Sequence, residues 1–314
     1  MIEVAQMSTT KTADKTFPDW IRQPWPSGEV FQEVKSLLGD LKLHSVCQSA
    51  HCPNQSECWG RKTATFMVMG NTCTRHCSYC AVNSGKPGEL DLDEPANIAE
   101  AVRRLGLKHT VITSVTRDDL PDGGARHIAD TIAAIKAVMP DTTVEALVQD
   151  FDGNRDDIAL VQAAEPEIFS HNIETVARVF PRIRDRRFTY GQSLAVLRMA
   201  RELSRGHFIK SAFMLGCGET EDEIRQTLSD LRAAGCDAVS IGQYLQPTPK
   251  HFPVQAYIPP EQFERYEAMA YDLGLGFAVA GPFVRSSYRS EALLESDYAR
   301  ARQHPGGGAR PHAD

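Results

Sequence analysis

The chain of 314 residues is 42% hydrophobic and 24% charged, with 34 Lys and Arg against 41 Asp and Glu for a net charge of −7. That make-up suits one large globular domain or two small ones and excludes fibrous, collagen-like and wholly disordered chains. The acidic balance argues against nucleic acid, whose phosphates need a basic surface, and with no apolar run near about 18 residues and no secretory leader the chain is expected to be cytoplasmic, without membrane contact.

Residues 1–16 are polar and aperiodic, which predicts a flexible leader. From Phe17 to Pro26, two tryptophans and three prolines predict an extended strap over the core. Residues 29–40 have helical spacing, with Val30, Val34, Leu37 and Leu38 on one face. Short apolar runs then predict strands near 63–69, 109–115, 142–148, 166–170, 207–215 and 236–243. Helical segments follow at roughly 95–105, 124–138, 156–164, 173–180, 191–205 and 220–234, with a further helix near 260–273. Such alternation predicts parallel strands joined by right-handed crossovers. Six units are fewer than the eight of a closed barrel. An open-sided β/α barrel and a doubly wound sheet both fit the periodicity. From about residue 300 the glycine-rich end predicts a disordered tail.

Six of the eight cysteines fall between Cys47 and Cys80. A chain of this size with no secretory signal is a poor candidate for a disulfide scaffold, and clustered cysteines in a reducing compartment point to metal or redox chemistry. Cys73, Cys77 and Cys80 form a C-x3-C-x2-C loop just beyond the first predicted strand, and ligand sites of parallel α/β folds gather at the carboxyl ends of strands. Three thiolates can hold three irons of a four-iron cube. The remaining iron is then open to an exogenous ligand, as in catalytic zinc sites. Zinc completed by His76 or a remote residue is the alternative. Upstream, Cys47, Cys52 and Cys58 form a C-x4-C-x5-C triplet, again one ligand short. Two incomplete triplets favour two iron–sulfur clusters over two zinc sites. Cys217 and Cys236, in or beside predicted strands, read as buried packing residues.

These residues resemble the lipoyl synthase family of the radical S-adenosylmethionine (radical SAM) enzymes, from about Phe17 to Tyr288. C-x3-C-x2-C is shared by the whole superfamily, whereas the upstream triplet is particular to lipoyl synthases. Further matching stretches are 116–124 (TRDDLPDGG), 171–175 (HNIET), 242–248 (GQYLQPT) and 285–288 (RSSY). The resemblance implies a partial (β/α)6 barrel over residues 63–275, an N-terminal extension over 17–62, a closing segment over 276–299 and a tail over 300–314. It implies two [4Fe–4S] clusters. The one on Cys73, Cys77 and Cys80 would bind S-adenosylmethionine and cleave it to methionine and a 5′-deoxyadenosyl radical. The other, on Cys47, Cys52 and Cys58 with Ser287 as fourth ligand, would be the sulfur source. The implied substrate is an octanoyl-lysyl group on a carrier domain, either the glycine-cleavage H protein or the lipoyl domain of a 2-oxoacid dehydrogenase E2. Sulfur would enter at C6 and C8, with two S-adenosylmethionine consumed and a flavodoxin- or ferredoxin-type electron donor. Biotin synthase lacks the upstream triplet, and a two-cluster electron carrier normally completes each cluster with four cysteines.

By the same resemblance Tyr79 borders the adenine, and Asn172 and Glu174 bond the ribose as the matching pair does in biotin synthase and its relatives. Gly216 and Gly218 end the fifth strand and let a backbone approach the cofactor closely. Thr220 with Glu223 has the spacing of a capping box for the helix that follows. Ala212 and Cys217 stand where the family usually has glycine or a small apolar residue. Asp118, Asp119 and Asp122 beside Arg117 read as a solvated loop more readily than as substrate contacts. The run Arg182, Arg184, Arg186 and Arg187 reads as solvated surface, with steering of an acidic carrier domain as the sharper alternative. Arg285 can hold the closing segment. His44, His51 and His76 read as supporting or surface residues.

Overall fold

The computed structural model describes residues 18–21, 28–50, 52–60 and 65–303. The leader over 1–16, most of the predicted strap, His51 and the end of the chain past 303 lie outside them. Of the strap, Asp19–Ile21 is a short 3-10 turn with Ile21 buried.

Helix α1 (Glu29–Asp40) buries Phe31, Val34, Leu37 and Leu38, so Phe31 rather than Val30 completes its apolar face. The Phe31 ring stacks on the buried Trp59 at 4.8 Å between centroids. Trp59 belongs to α3 (Gln55–Gly60), and a short α2 (Val46–Ser49) precedes it, capped by the Ser45 hydroxyl, which accepts from the Gln48 N–H. These helices carry the first cysteine triplet against the edge of the sheet, where Ser45 makes an antiparallel bridge to Phe66.

From there the chain alternates. Strand β1 (Thr65–Val68) is followed by a two-stranded parallel ribbon, β2 (Thr72–Cys73) and β3 (Asn83–Ser84), and by α4 (Glu94–Leu105). Then come β4 (His109–Ser114), α5 (Ala125–Val138), β5 (Thr143–Leu147), α6 (Arg155–Ala163), β6 (Ile168–Ser170), α7 (Phe180–Ile183) and α8 (Tyr190–Leu203). The series ends with β7 (Phe208–Leu215), α9 (Glu221–Ala233), β8 (Ala238–Gln243), α10 (Pro260–Asp272), β9 (Phe277–Gly281), α11 (Glu291–Glu295) and α12 (Asp297–Gln303).

One seven-stranded sheet runs β1-β4-β5-β6-β7-β8-β9, parallel throughout. This order decides between the two architectures that periodicity left open. A doubly wound sheet reverses direction at a switch point. Here every strand is added beside its predecessor, so right-handed crossovers keep the helices on one face, and the sheet curls into a partial barrel whose first and last strands are not paired. Both sheet faces are covered, which is why β1 and most of β7 are continuously buried.

Three sequence expectations shift. Residues 173–180 do not form a helix: Glu174 bridges to Phe213 of β7, and helix begins only at Phe180. The sheet gains a seventh strand, β9, inside the stretch read as the closing segment. Helix α12 runs to Gln303, past the expected start of the tail. It is tied down by Tyr298, whose hydroxyl donates to Asp237 Oδ1 at 2.7 Å. The predicted Thr220 capping box is present at the start of α9. No helix among the described residues is long and apolar enough to cross a membrane.

Candidate active site

The cysteine loop leaves β1 at the carboxyl end of the sheet and is fixed before any ligand is considered. Pairing of β2 with β3 places Cys73 beside Ser84. Cys73 Sγ accepts from the backbone N–H groups of Arg75 at 3.4 Å and Thr116 at 3.3 Å, and Cys77 Sγ accepts from that of Asp185 at 3.3 Å. Arg75 acts as the loop's anchor. Its guanidinium donates to Asp118 at 2.7 Å and to Asp150 at 3.0 Å, with only 2% of its side chain exposed, and lies 4.0 Å from the Phe188 ring centre.

All three cysteines of this loop line one cavity of about 490 Å³. Tyr79, Asn172 and Glu174 line it too, so the structure gathers the residues that the sequence placed together. Glu174 sits in the left-handed region at φ 67°, a conformation that costs a non-glycine residue about 1–3 kcal/mol. It is held there by backbone bonds to Ala212 and Met214. Burial pushes the Glu174 carboxyl above its ordinary range and the Tyr79 phenol well above its own. Apolar side chains, among them Val82, Val115, Val148 and Met214, make up much of the remaining wall.

Cys47 and Cys52 open onto the same cavity, and behind them lies a smaller one of about 30 Å³ lined by Cys47, Cys52, Cys58, Arg285 and Ser287. The first triplet and the serine after β9, more than 200 residues apart in sequence, are therefore neighbours. Three contacts bring the closing segment there. The Asn54 amide donates to the Phe283 carbonyl at 2.6 Å, and Tyr288 and Arg289 both bond the Glu57 carboxylate on α3. Gly242 of β8 is needed for this approach, because a Cβ there would collide with the Val284 carbonyl. Arg285 bonds the carbonyls of Val284 and Pro282 and so clamps its own segment. The two serines are separated by their partners: Ser286 Oγ donates to Asn172 Oδ1 at 2.9 Å, leaving Ser287 to the small cavity.

Four features differ from the sequence reading or escaped it. Arg184 is not solvated surface. Its side chain is 8% exposed, donates to the Tyr79 hydroxyl at 3.1 Å, lies 3.7 Å from Glu174 and packs 3.6 Å from the Phe188 ring centre. Arg187 is spent on Asp185 and Asp118, so the arginine run does not form one outward patch. Gly216 and Gly218 do not line the cavity. Gly216, at φ 99°, admits the loop at Ala256 and the Gln243 amide against its backbone. The acidic loop is solvent-exposed at Asp118 and Asp119, as read, but the pairing of its carboxylates escaped the sequence: Asp118 pairs with Arg75, Asp119 with Arg117, and Asp122 accepts from the N–H groups of Gly124 and Arg126 at the start of α5. Finally, Lys210 and Glu145 form a buried ion pair at 3.0 Å, and Lys210 also donates to the Ser286 carbonyl at 2.5 Å.

The donor set suits iron–sulfur clusters. Burial pushes the Cys80 thiol up to about 12 and Cys52 to about 11. Thiolates in these positions need bound metal to share their charge. Among the described residues no three His, Cys, Asp or Glu side chains form a ready single-ion site. His76 bonds Ser84 Oγ instead of completing the triplet. Cys217 and Cys236 are buried packing residues, and all eight cysteines are free thiols.

A curled parallel sheet with a C-x3-C-x2-C loop at its carboxyl end defines a radical SAM enzyme, and the Radical SAM superfamily description matches residues 67–242. Among solved structures the fold is similar to HydG, a maturase of the [FeFe]-hydrogenase, with a TM-score of 0.54 at 12% identity over 79% of this chain and 62% of that one. Streptococcus suis SuiB with bound S-adenosylmethionine gives a TM-score of 0.54 at 10% identity over 73% of this chain and 54% of that one. Among curated sequences, lipoyl synthase of Thermus thermophilus is 50% identical over 90% of this chain and 87% of its own length. That of Mycolicibacterium paratuberculosis is 47% identical over 95% of each. The chain belongs to the lipoyl synthase family and is a radical SAM sulfurtransferase, with a [4Fe–4S] cluster and S-adenosylmethionine implied by that membership.

Proposed function

We propose that this enzyme inserts two sulfur atoms, at C6 and C8, into an octanoyl-lysyl group on a carrier domain, consuming two S-adenosylmethionine. The observation that carries the reading is the junction of the two cysteine triplets across one cavity, with Ser287 beside the upstream triplet. Cys73, Cys77 and Cys80 would hold one [4Fe–4S] cluster, and Cys47, Cys52, Cys58 and Ser287 a second. When bound, the first supplies the electron that splits S-adenosylmethionine into methionine and a 5′-deoxyadenosyl radical, and the second supplies the sulfur.

The chain's own residues then orient the reactants and exclude water. Glu174 and Asn172 present acceptors to ribose hydroxyls, while Tyr79 borders the adenine. Arg184 is a cation facing the cavity and suits the carboxylate of the methionyl group. The saturated chain of the substrate offers no group to acid–base catalysis, so its reacting carbons have to be held by shape against the apolar wall. Water has to be kept out while a primary carbon radical is present. The segment over 282–290 supports this by closing the open side of the barrel. The carrier reading extends to the glycine-cleavage H protein or an E2 lipoyl domain, the donor to a flavodoxin or ferredoxin, and the location to the cytoplasm.

The test is mass spectrometry of an octanoyl-lysyl peptide after anaerobic incubation with reconstituted enzyme, S-adenosylmethionine and a strong reductant. Gain of two sulfurs with release of 5′-deoxyadenosine is expected. Deoxyadenosine without sulfur on the peptide would move the substrate elsewhere. Neither product despite two intact clusters would return the chain to an electron carrier.

A further inference from the structure

His171 ends β6 and lines the large cavity, yet 1% of the residue is exposed. Its two ring nitrogens are not equivalent. Nδ1 lies 3.0 Å from the Val148 carbonyl oxygen. A carbonyl can only accept, so Nδ1 carries the proton and Nε2 is left with a lone pair. That Nε2 is buried with no partner in the protein. A buried acceptor without a donor costs about 1–3 kcal/mol, and such atoms in folded proteins call for an explanation.

The surroundings state what is missing. The charges that act on the ring are those of Arg184, Asp150 and Arg75. Asp150 is already bonded to Arg75 and to the Gln192 amide, and Arg75 to Asp118. Arg184 is directed at Tyr79 and Glu174. None of these groups bonds Nε2, not even Arg184 Nε, which is likewise without a partner, and the cavity that the ring lines is where a ligand can bring the donor. Burial and the neighbouring cations hold the ring's pKa down to about 4, which keeps it an acceptor at neutral pH.

We propose that His171 Nε2 accepts a hydrogen bond from the amino group of the methionyl end of bound S-adenosylmethionine, making His171 a positioning residue for that end. This rests on the S-adenosylmethionine site of the proposed function. Arg184 and His171 then form a matched pair, a cation for the carboxylate and a neutral acceptor for the amine. Because Nδ1–H is engaged by Val148, the ring cannot turn a donor toward the ligand without breaking that bond.

The test exploits the geometry of the two nitrogens. In H171N the side-chain amide N–H can replace Nδ1–H on Val148 but nothing reaches the Nε2 position. In H171Q an amide oxygen can occupy the Nε2 position. Binding is measured by equilibrium dialysis on the cluster-loaded enzyme, with S-adenosylhomocysteine and with 5′-methylthioadenosine, which lacks the amino-acid end. H171N is expected to weaken S-adenosylhomocysteine about tenfold, the loss of one good hydrogen bond at about 1.4 kcal/mol, and H171Q to recover most of it. Methylthioadenosine is expected to bind all three proteins alike. Equal loss of both ligands in H171N would overturn the assignment in favour of a contact to the nucleoside. Equal weakness of H171N and H171Q would make His171 merely structural, and unchanged binding would remove it altogether. Should H171N not fold, nitrogen NMR of wild-type histidines decides: Nε2 of His171 must shift on adding S-adenosylhomocysteine but not methylthioadenosine. Failure of the wild-type enzyme to bind either ligand would instead refute the proposed S-adenosylmethionine site.

Discussion

Replacing Lys210 by methionine removes one buried cation and leaves three oxygens behind. Lys210 Nζ lies 3.1 and 3.0 Å from the two Glu145 oxygens and 2.5 Å from the Ser286 carbonyl. The two side chains are 3% and 0% exposed, so water cannot substitute. Breaking such a pair from one side costs about 3–5 kcal/mol, because the surviving charge is stranded. Ser170 Oγ, bonded to Glu145 Oε1 at 2.6 Å, is the single remaining donor from a side chain. Replacing both partners, Lys210→Met with Glu145→Met, removes the stranded charge. It leaves Ser170 and the Ser286 carbonyl unpaired, about 1–3 kcal/mol each, and the Ser286 loss is common to the single variant. The double variant is therefore expected to be more stable than Lys210→Met alone, with a coupling of at least about 2 kcal/mol. Urea unfolding of the four proteins of the cycle measures it. If Lys210→Met falls within about 1 kcal/mol of wild type, or if the two changes simply add, the pair is not the support described here. Both variants also free the Ser286 carbonyl, so iron bound at the upstream triplet should become easier to remove by chelator in each.

Further outcomes are open to direct measurement. Cys80→Ala is expected to abolish 5′-deoxyadenosine formation, whereas Cys52→Ala should retain part of it and yield no sulfur-bearing peptide; lipoyl product from Cys52→Ala would refute the division between triplets. Gly216→Ala forces a Cβ into the Ala256 carbonyl at a positive φ and should destabilise the fold by about 2–4 kcal/mol in denaturant titration. His171, held neutral by burial with a pKa of about 4, takes up its proton more readily when unfolded, near the ordinary value of 6.5. The stability this contributes is complete above about pH 6.5 and is lost as pH falls toward 4, up to about 3 kcal/mol. Iron-free wild type should therefore lose more stability than iron-free H171N between pH 7 and pH 5, and parallel curves would contradict it.

What the sequence disclosed was local. Strands buried on both faces, such as β7 and β8, are largely apolar runs, broken by Lys210 and Ser211 in one and by Ser240 and Gln243 in the other, and their spacing with intervening amphipathic helices is visible without coordinates. The strand order was not visible, because open barrel and doubly wound sheet share that spacing and differ only in which edge each new strand joins. Residues 173–180 misled for a related reason. Their apolar spacing (Ile173, Val176, Val179) is helical, but a bond from the Glu174 N–H to the Ala212 carbonyl draws the start of the segment onto β7. Tertiary pairing overrides a short local preference.

The site divides in the same way. Cysteine spacing is a statement about one loop, so both triplets could be read directly. Ser287 could be reached only through the family resemblance, since its nearness to Cys58 depends on Asn54, Glu57 and Gly242 meeting a segment from the far end of the chain. Arg184 was hidden by its neighbours. In a run with Arg182, Arg186 and Arg187 it looks like one solvated charge among four, yet it follows α7, where Phe180 and Ile183 are buried and Arg184 turns inward with them. Phe188 then lies between its guanidinium and that of Arg75, at 3.6 and 4.0 Å from the ring centre. An aromatic face between two cations lets like charges approach without direct contact. Asp118 and Asp150 offset Arg75 while Glu174 offsets Arg184. The arginine on the cysteine loop is thereby fully committed to carboxylates, whereas the one after α7 faces a single carboxylate at 3.7 Å and keeps charge available toward the cavity.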